Sequence, residues 1–182
     1  MATLSSSKLE PPSSHTVYIL NPFHYAVDHD RIVSAVRTCL ELEDAEPSDV
    51  RVLLSDDAEI RHLNHRFRGV DEETDVLTFP DGVAASGDLA IAVPYAERQA
   101  QARGIDLIDE IVFLAIHGAL HLVGLDDQTE VDRAEMIRRM NRTATRLGMP
   151  ADESWGSLLH QGEAATPPEA KTQAETGEGK TQ

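Results

Sequence analysis

The sequence predicts an α+β fold: a single domain in which about four strands form a mixed sheet packed with helices, around a central buried helix. Three observations predict it. Short apolar, β-branched runs alternate with segments of helical period, and the last three helical segments follow one another with no strand between them. One of those three, Asp106–Val123, is apolar nearly all round, as a helix enclosed by others must be. A chain of 182 residues is long enough to bury one core of useful size. The order of the strands is not readable from this pattern.

Residues 1–15 are rich in Ser and Pro and are expected to be a disordered tail. Thr16–Leu20 (TVYIL) opens the domain as a strand. Asp28–Leu42 places Ile32, Val36 and Leu40 at helical spacing, and Pro47-Ser48 ends that segment. Val50–Leu54 (VRVLL) is a second strand. Asp56–Phe67 is a helix with Ile60, Leu63 and Phe67 on one side, Ser55 as its cap and Gly69 as its stop. Asp75–Phe79 is a short strand, Pro80-Asp81-Gly82 turns the chain, and Gly87–Val93 is the fourth strand. Leu77, Phe79 and Phe67 are core candidates.

Pro94 suits the first turn of a helix that runs to Arg103 and stops at Gly104. The apolar helix Asp106–Val123 follows and ends at Gly124. The last helix begins at Thr129, with Asp132 three residues on, and carries the stripe Ile137, Met140, Ala144 and Leu147. The domain is thus expected over 16–150. Residues 151–182 are expected to be an acidic, mostly disordered tail.

Composition narrows the function classes. The formal charge is −16, and residues 16–150 contribute −12 of it, so the acidity belongs to the domain. Its positive charges are all arginine, since Lys8, Lys171 and Lys180 lie in the tails. Any contact with nucleic acid must therefore be a local arginine cluster, which suits phosphate, and not a basic face. No apolar run reaches the roughly 18–20 residues that cross a bilayer, so no membrane is expected. Cys39, the only cysteine, excludes an internal disulfide framework and a cysteine-based zinc cluster. The N-terminus lacks the apolar stretch of a secretory signal, and the expected location is the cytoplasm.

The chemistry is concentrated in His117-Gly-Ala-Leu-His121-Leu-Val-Gly124-Leu-Asp126-Asp127. Histidines at i and i+4 share a helix face, about 6 Å apart along the axis, and can converge on one divalent ion. Gly124 then lets the chain fold back, so that Asp126 or Asp127 supplies a third ligand. Two histidines and a carboxylate leave a fourth position to water, the arrangement of a catalytic site. Simple packing of two histidines is the plain alternative. Their apolar surroundings, in which buried imidazoles need partners, and the acidic turn that follows favour ligation. A metallopeptidase would carry Glu directly after the first histidine; Gly118 stands there instead.

This stretch resembles the signature of the YbeY endoribonuclease family, a His-Gly-x-Leu-His-Leu-x-Gly helix end followed by Tyr-Asp-His. Leu63-Asn64-His65-Arg66-Phe67-Arg68-Gly69 and Thr74-Asp75-Val76-Leu77-Thr78-Phe79-Pro80 resemble a second block of that family. Gly87-Asp88-Leu89-Ala90-Ile91 with Glu97-Arg98-Gln99-Ala100 resembles a third. The resemblance implies one divalent metal ion, zinc, held by His117, His121 and Asp127. Asp127 stands where the family has histidine, Leu125 where it has an aromatic residue, and Asp126 matches the family's aspartate. The carboxylate makes the site harder and more negative, so iron, manganese or nickel becomes competitive with zinc. Arg68 matches an arginine to which the family assigns a part in RNA cleavage. Arg61, His65 and Arg68 share a helix face, but for Arg61 and Arg66 a solvated surface role is favoured. His24, His29, His62 and His65 are read as surface residues.

The resemblance implies a metal-dependent endoribonuclease specific for single-stranded RNA, acting in rRNA maturation (16S rRNA processing) and ribosome quality control. Its implied partners are rRNA and ribosomal proteins of the small subunit, with no DNA. A different class remains open: a non-catalytic ribosome-assembly factor with a mainly structural metal, which the acidic domain would suit. A third, an iron oxygenase built on two histidines and a carboxylate, has nothing else in the chain to support it.

Overall fold

The computed structural model describes residues 14–156. The elements run β1 (Thr16–Leu20), α1 (His29–Leu42), β2 (Asp49–Ser55), α2 (Asp57–Arg68), β3 (Val76–Pro80), β4 (Gly87–Ala92), α3 (Val93–Arg103), α4 (Leu107–Leu122) and α5 (Glu130–Arg146). The four strands form one sheet in the order β1-β2-β4-β3. β1, β2 and β4 are parallel, and β3 joins the edge antiparallel to β4. The sheet is thus mixed, as expected. Helical crossovers serve the parallel pairs, while a short turn suffices between β3 and β4.

Alternation along the strands divides the core. Val50, Val52 and Leu54 of β2 and Leu89 and Ile91 of β4 face the large cluster formed with α1, α4 and α5. Leu77, Ala90 and Ala92 point the other way, toward Ile60 of α2. α4 is the centre of the molecule, packed against α1, α3, α5, β3 and β4. Every residue from Glu110 to Leu120 is buried, which explains why this segment reads as apolar all round. Each fully buried Ile or Leu in it contributes about 1.5–3 kcal/mol of transfer free energy.

Gly118 sets how closely α4 lies on the sheet. A Cβ there would sit 2.8 Å from Leu89 Cδ2 and 3.3 Å from Thr78 Oγ1. The glycine thus lets the C-terminal half of α4, with its two histidines, rest directly on β3 and β4.

Three expectations are corrected. The cap of α2 is Asp56, whose side chain accepts from Glu59 N at 2.7 Å. Ser55 instead ends β2, buried, and its hydroxyl donates to the Ile91 carbonyl at 3.2 Å. Phe67 is not core: it is 58% exposed, lining an open pocket with Leu20, Leu53, Leu63 and Phe79, and its ring meets that of Phe79 edge-on. In α5 the fully buried positions are Met136, Met140, Thr143 and Ala144, with Ile137 only half-buried. The predicted capping box is present: Thr129 Oγ1 accepts from Asp132 N while the Asp132 carboxylate accepts from Thr129 N.

The expected N-terminal tail falls outside the described residues over 1–13, and the expected acidic tail does so over 157–182. Of the remainder, His15 and Trp155 are buried.

Candidate metal centre

α4 positions two of the predicted ligands and the turn after it positions the third. Val123 caps the helix, and Gly124 adopts φ +91°, a left-handed conformation that costs a residue with a Cβ about 1–2 kcal/mol. The reversal is held by Gly124 N–H to the His121 carbonyl and Leu125 N–H to the Leu120 carbonyl, both at 3.0 Å. It carries Asp127 back over the helix end. The Asp126 carboxylate accepts from Asp127 N at 2.8 Å, and Arg133 donates to the carbonyls of Asp127 and Gln128 at 3.2 and 3.1 Å. Asp126 therefore shapes the turn, and Asp127 faces the histidines.

The resulting geometry is compact. His117 Nε2 and His121 Nε2 are 3.0 Å apart, and the Asp127 Oδ2 oxygen lies 3.6 Å from the first and 3.9 Å from the second. A point about 2.1 Å from all three atoms exists at the centre of that triangle, and Zn–N and Zn–O bonds are about 2.0–2.2 Å long. The tautomer of His121 agrees. Its Nδ1 is 2.8 Å from the Leu125 carbonyl, which can only accept, so Nδ1 carries the hydrogen and Nε2 presents its lone pair. That lone pair is aimed at the Nε2 of His117, which calls for a cation or a proton between the rings. The donor set is thus chemically suited to one divalent ion.

These three residues line a cleft of about 330 Å³ together with Arg68, Thr74, Asp75, Val76 and Thr78. Arg68 arrives from the last turn of α2, and among the described residues its guanidinium makes no ion pair. Arg61, by contrast, is occupied by Asp71 at 2.8 and 3.0 Å, and Arg66 lies over the Phe67 ring. The structure therefore brings Arg68 to the ligand set and leaves Arg61 and Arg66 in surface roles. His65 is exposed, and it is not among the residues that line the cleft.

Two buried acids on the elements that build this centre were not singled out from the sequence. Asp75 is 2% exposed; its carboxylate accepts from Val76 N at 2.8 Å, Thr74 Oγ1 at 3.2 Å and Gln99 Nε2 at 3.0 Å. It lines the same cleft as the histidines, and its three donors hold that part of the wall in place. A charged residue at the start of an apolar strand was the available signal. Glu110, fully buried two turns before His117, takes both hydrogen bonds of Arg103 Nη1, at 3.2 and 2.9 Å. Burial pushes its carboxyl up to about 7, against the opposing pull of Arg103.

The comparisons with known proteins give the family. The family model described as Endoribonuclease YbeY matches residues 20–148. A protein of Solibacter usitatus named Endoribonuclease YbeY is 44% identical over 110 residues, 60% of this chain and 72% of the relative. One of the same name from Rhodopseudomonas palustris is 33% identical over 153 residues, covering 77% of this chain and 89% of the relative. Another, from a Roseiflexus species, is 34% identical over 151 residues, or 75% and 94% of the two chains. A solution structure of a Thermotoga maritima protein shares the fold, with a TM-score of 0.52 at 24% identity over 86% of this chain and 100% of that one. The matched span runs from the end of β1 to just beyond α5 and includes Arg68 and all three ligand positions, so the chain belongs to the YbeY endoribonuclease family.

Proposed function

We propose that this protein is a metal-dependent endoribonuclease that cleaves single-stranded RNA, acting in the cytoplasm in rRNA maturation (16S rRNA processing) and ribosome quality control. The single observation that carries the reading is the meeting of Arg68 with His117, His121 and Asp127 in one cleft. Family membership supplies the RNA-cleaving chemistry. A domain charge of −12 makes RNA contact local, which suits a flexible strand feeding one phosphate into the cleft better than a duplex held along its backbones.

His117, His121 and Asp127 would hold the ion, with zinc the proposed metal and Asp127 making the site more negative than three histidines would. When bound, such an ion supplies Lewis acidity toward a phosphoryl oxygen and acidifies water. Arg68 contributes a planar, permanently charged fork that grips the scissile phosphate and stabilises negative charge as it builds on the non-bridging oxygens. Asp75, held by three donors, keeps its part of the cleft wall fixed so that the phosphate meets Arg68 and the ligand set together.

The test is Arg68→Ala, with circular dichroism and metal content unchanged. Loss of one such charge-stabilising contact lowers cleavage of a defined single-stranded RNA about 100- to 1000-fold. Unchanged cleavage would remove Arg68 from the reaction. Product ends then assign the nucleophile: a cyclic phosphate marks attack by the neighbouring 2′-hydroxyl, a 5′-phosphate attack by water. The acidic domain favours a second reading, a ribosome-assembly factor that docks basic ribosomal proteins of the small subunit. Purified protein that binds those proteins, but leaves clean RNA intact at every metal tried, would establish that reading instead.

A further inference from the structure

Beyond the ligands and Arg68, the described chain ends in a short segment built onto the back of the metal centre. Asp152 N–H donates to Asn141 Oδ1 at 2.8 Å, which ties the segment to α5. The Asp152 carboxylate accepts from Ser154 N and Oγ at 2.9 and 2.7 Å, closing a tight turn. The turn delivers Trp155, the only tryptophan of the chain, into the interior at 4% exposure.

Three groups grip that indole. Phe113 stacks on it at 6.3 Å between centroids, and the Arg103 guanidinium lies over it at 5.3 Å. Arg103 is itself anchored, donating to both oxygens of Glu110 and to the carbonyl of Gly156, the residue after the tryptophan. The indole also meets His117, with ring centroids 5.1 Å apart. His121 packs edge-on against the same imidazole at 4.5 Å. The His117 ring is thus held between its fellow ligand and Trp155.

We propose that Asp152–Gly156 is a latch on the metal centre, and that Trp155 is a positioning residue that holds the His117 imidazole in its ligating orientation. This rests on the assignment of His117, His121 and Asp127 as metal ligands. The seated latch removes rotamer freedom that the His117 side chain would otherwise lose on binding the ion, so affinity is higher with the latch closed. By linkage, the ion favours the closed latch by the same factor. In this role Trp155 acts through the His117 ring it packs against.

Zinc affinity, measured by competition with a chelating dye on the full chain, tests this. Groups that orient a metal-binding histidine are worth about 10–100-fold in affinity, and Trp155→Ala is expected to weaken zinc binding by that factor. Trp155→Phe, which keeps an aromatic wall, is expected to stay within about threefold of the parent, on the same grounds. A folded Trp155→Ala protein with parental affinity would overturn the proposal. A second measurement needs no substitution: amide hydrogen exchange at 152–156 in the unaltered protein is expected to slow on adding zinc. Exchange there that ignores zinc, in a protein shown to bind it, would overturn the latch while leaving the ligand assignment intact. Failure of the unaltered protein to bind zinc or any other divalent ion would remove the ligand assignment, and the latch with it.

Discussion

Glu110 offers the sharpest quantitative prediction. Its carboxylate is fully buried on α4, and desolvation lifts it to about 7, although Arg103 is bonded to both its oxygens. The folded protein therefore holds this proton more tightly than the unfolded chain does, where glutamate titrates at its ordinary value of 4.5. The stability this confers is complete below about pH 4.5 and is lost as the pH climbs through about 7. A shift of this size is worth about 3 kcal/mol in all, most of which falls between pH 5 and pH 8. Glu110→Gln keeps the shape and can still accept from Arg103, but it does not titrate. Urea unfolding of both proteins without metal, at intervals from pH 5 to pH 8, isolates the effect, since all other groups are common to the pair. The difference in stability, variant minus parent, is expected to rise by about 2–3 kcal/mol across that range. Parallel curves would refute the placement of an ionisable group in a desolvated site.

Other substitutions probe the frame and the ligand set. Gly118→Ala adds a Cβ 2.8 Å from the fully buried Leu89, so overpacking of about 1–3 kcal/mol outweighs the gain of about 1 kcal/mol in helix propensity. Thermal unfolding is expected to show a net loss, and a gain of about 1 kcal/mol would mean that α4 does not rest on β4 as described. Asp127→Asn removes the charge but keeps the shape of the third ligand. Its zinc affinity, read by dye competition, is expected to fall by at least the roughly 10–100-fold that loss of a merely supporting group causes. Affinity equal to the parent's would show that the ion is held without this carboxylate.

Where the sequence was legible, one physical signal dominated. α4 is enclosed on every side, and its composition says so. The Thr129–Asp132 box and the stops at Gly69, Gly104 and Gly124 are local chemistry that tertiary structure left alone. His117 and His121 were legible because helix geometry fixes their separation, whereas the glycine turn left Asp126 and Asp127 both open and only the family resemblance pointed to Asp127. What the sequence did not disclose depends on distant partners. The spacing of Ile60, Leu63 and Phe67 is helical, but only the tertiary packing decides that Ile60 is covered while Phe67 lines an open pocket. Ser55 and Asp56 are both capping residues, and the choice fell to Asp56 because β2 continues through Ser55 and buries it. Trp155 stands among Asp, Glu, Ser and Gly with no periodicity around it. Its burial is created by Arg103, Phe113 and His117, all more than 35 positions earlier in the chain.

The proposed cleavage chemistry and the latch both require one divalent ion bound by His117, His121 and Asp127. Elemental analysis of protein purified without added metal, beside His121→Ala prepared identically, tests it directly. The parent is expected to carry close to one divalent ion per chain and the folded variant close to none. Equal metal in the two, or none in the parent even after exposure to zinc, iron, manganese and nickel, would contradict it.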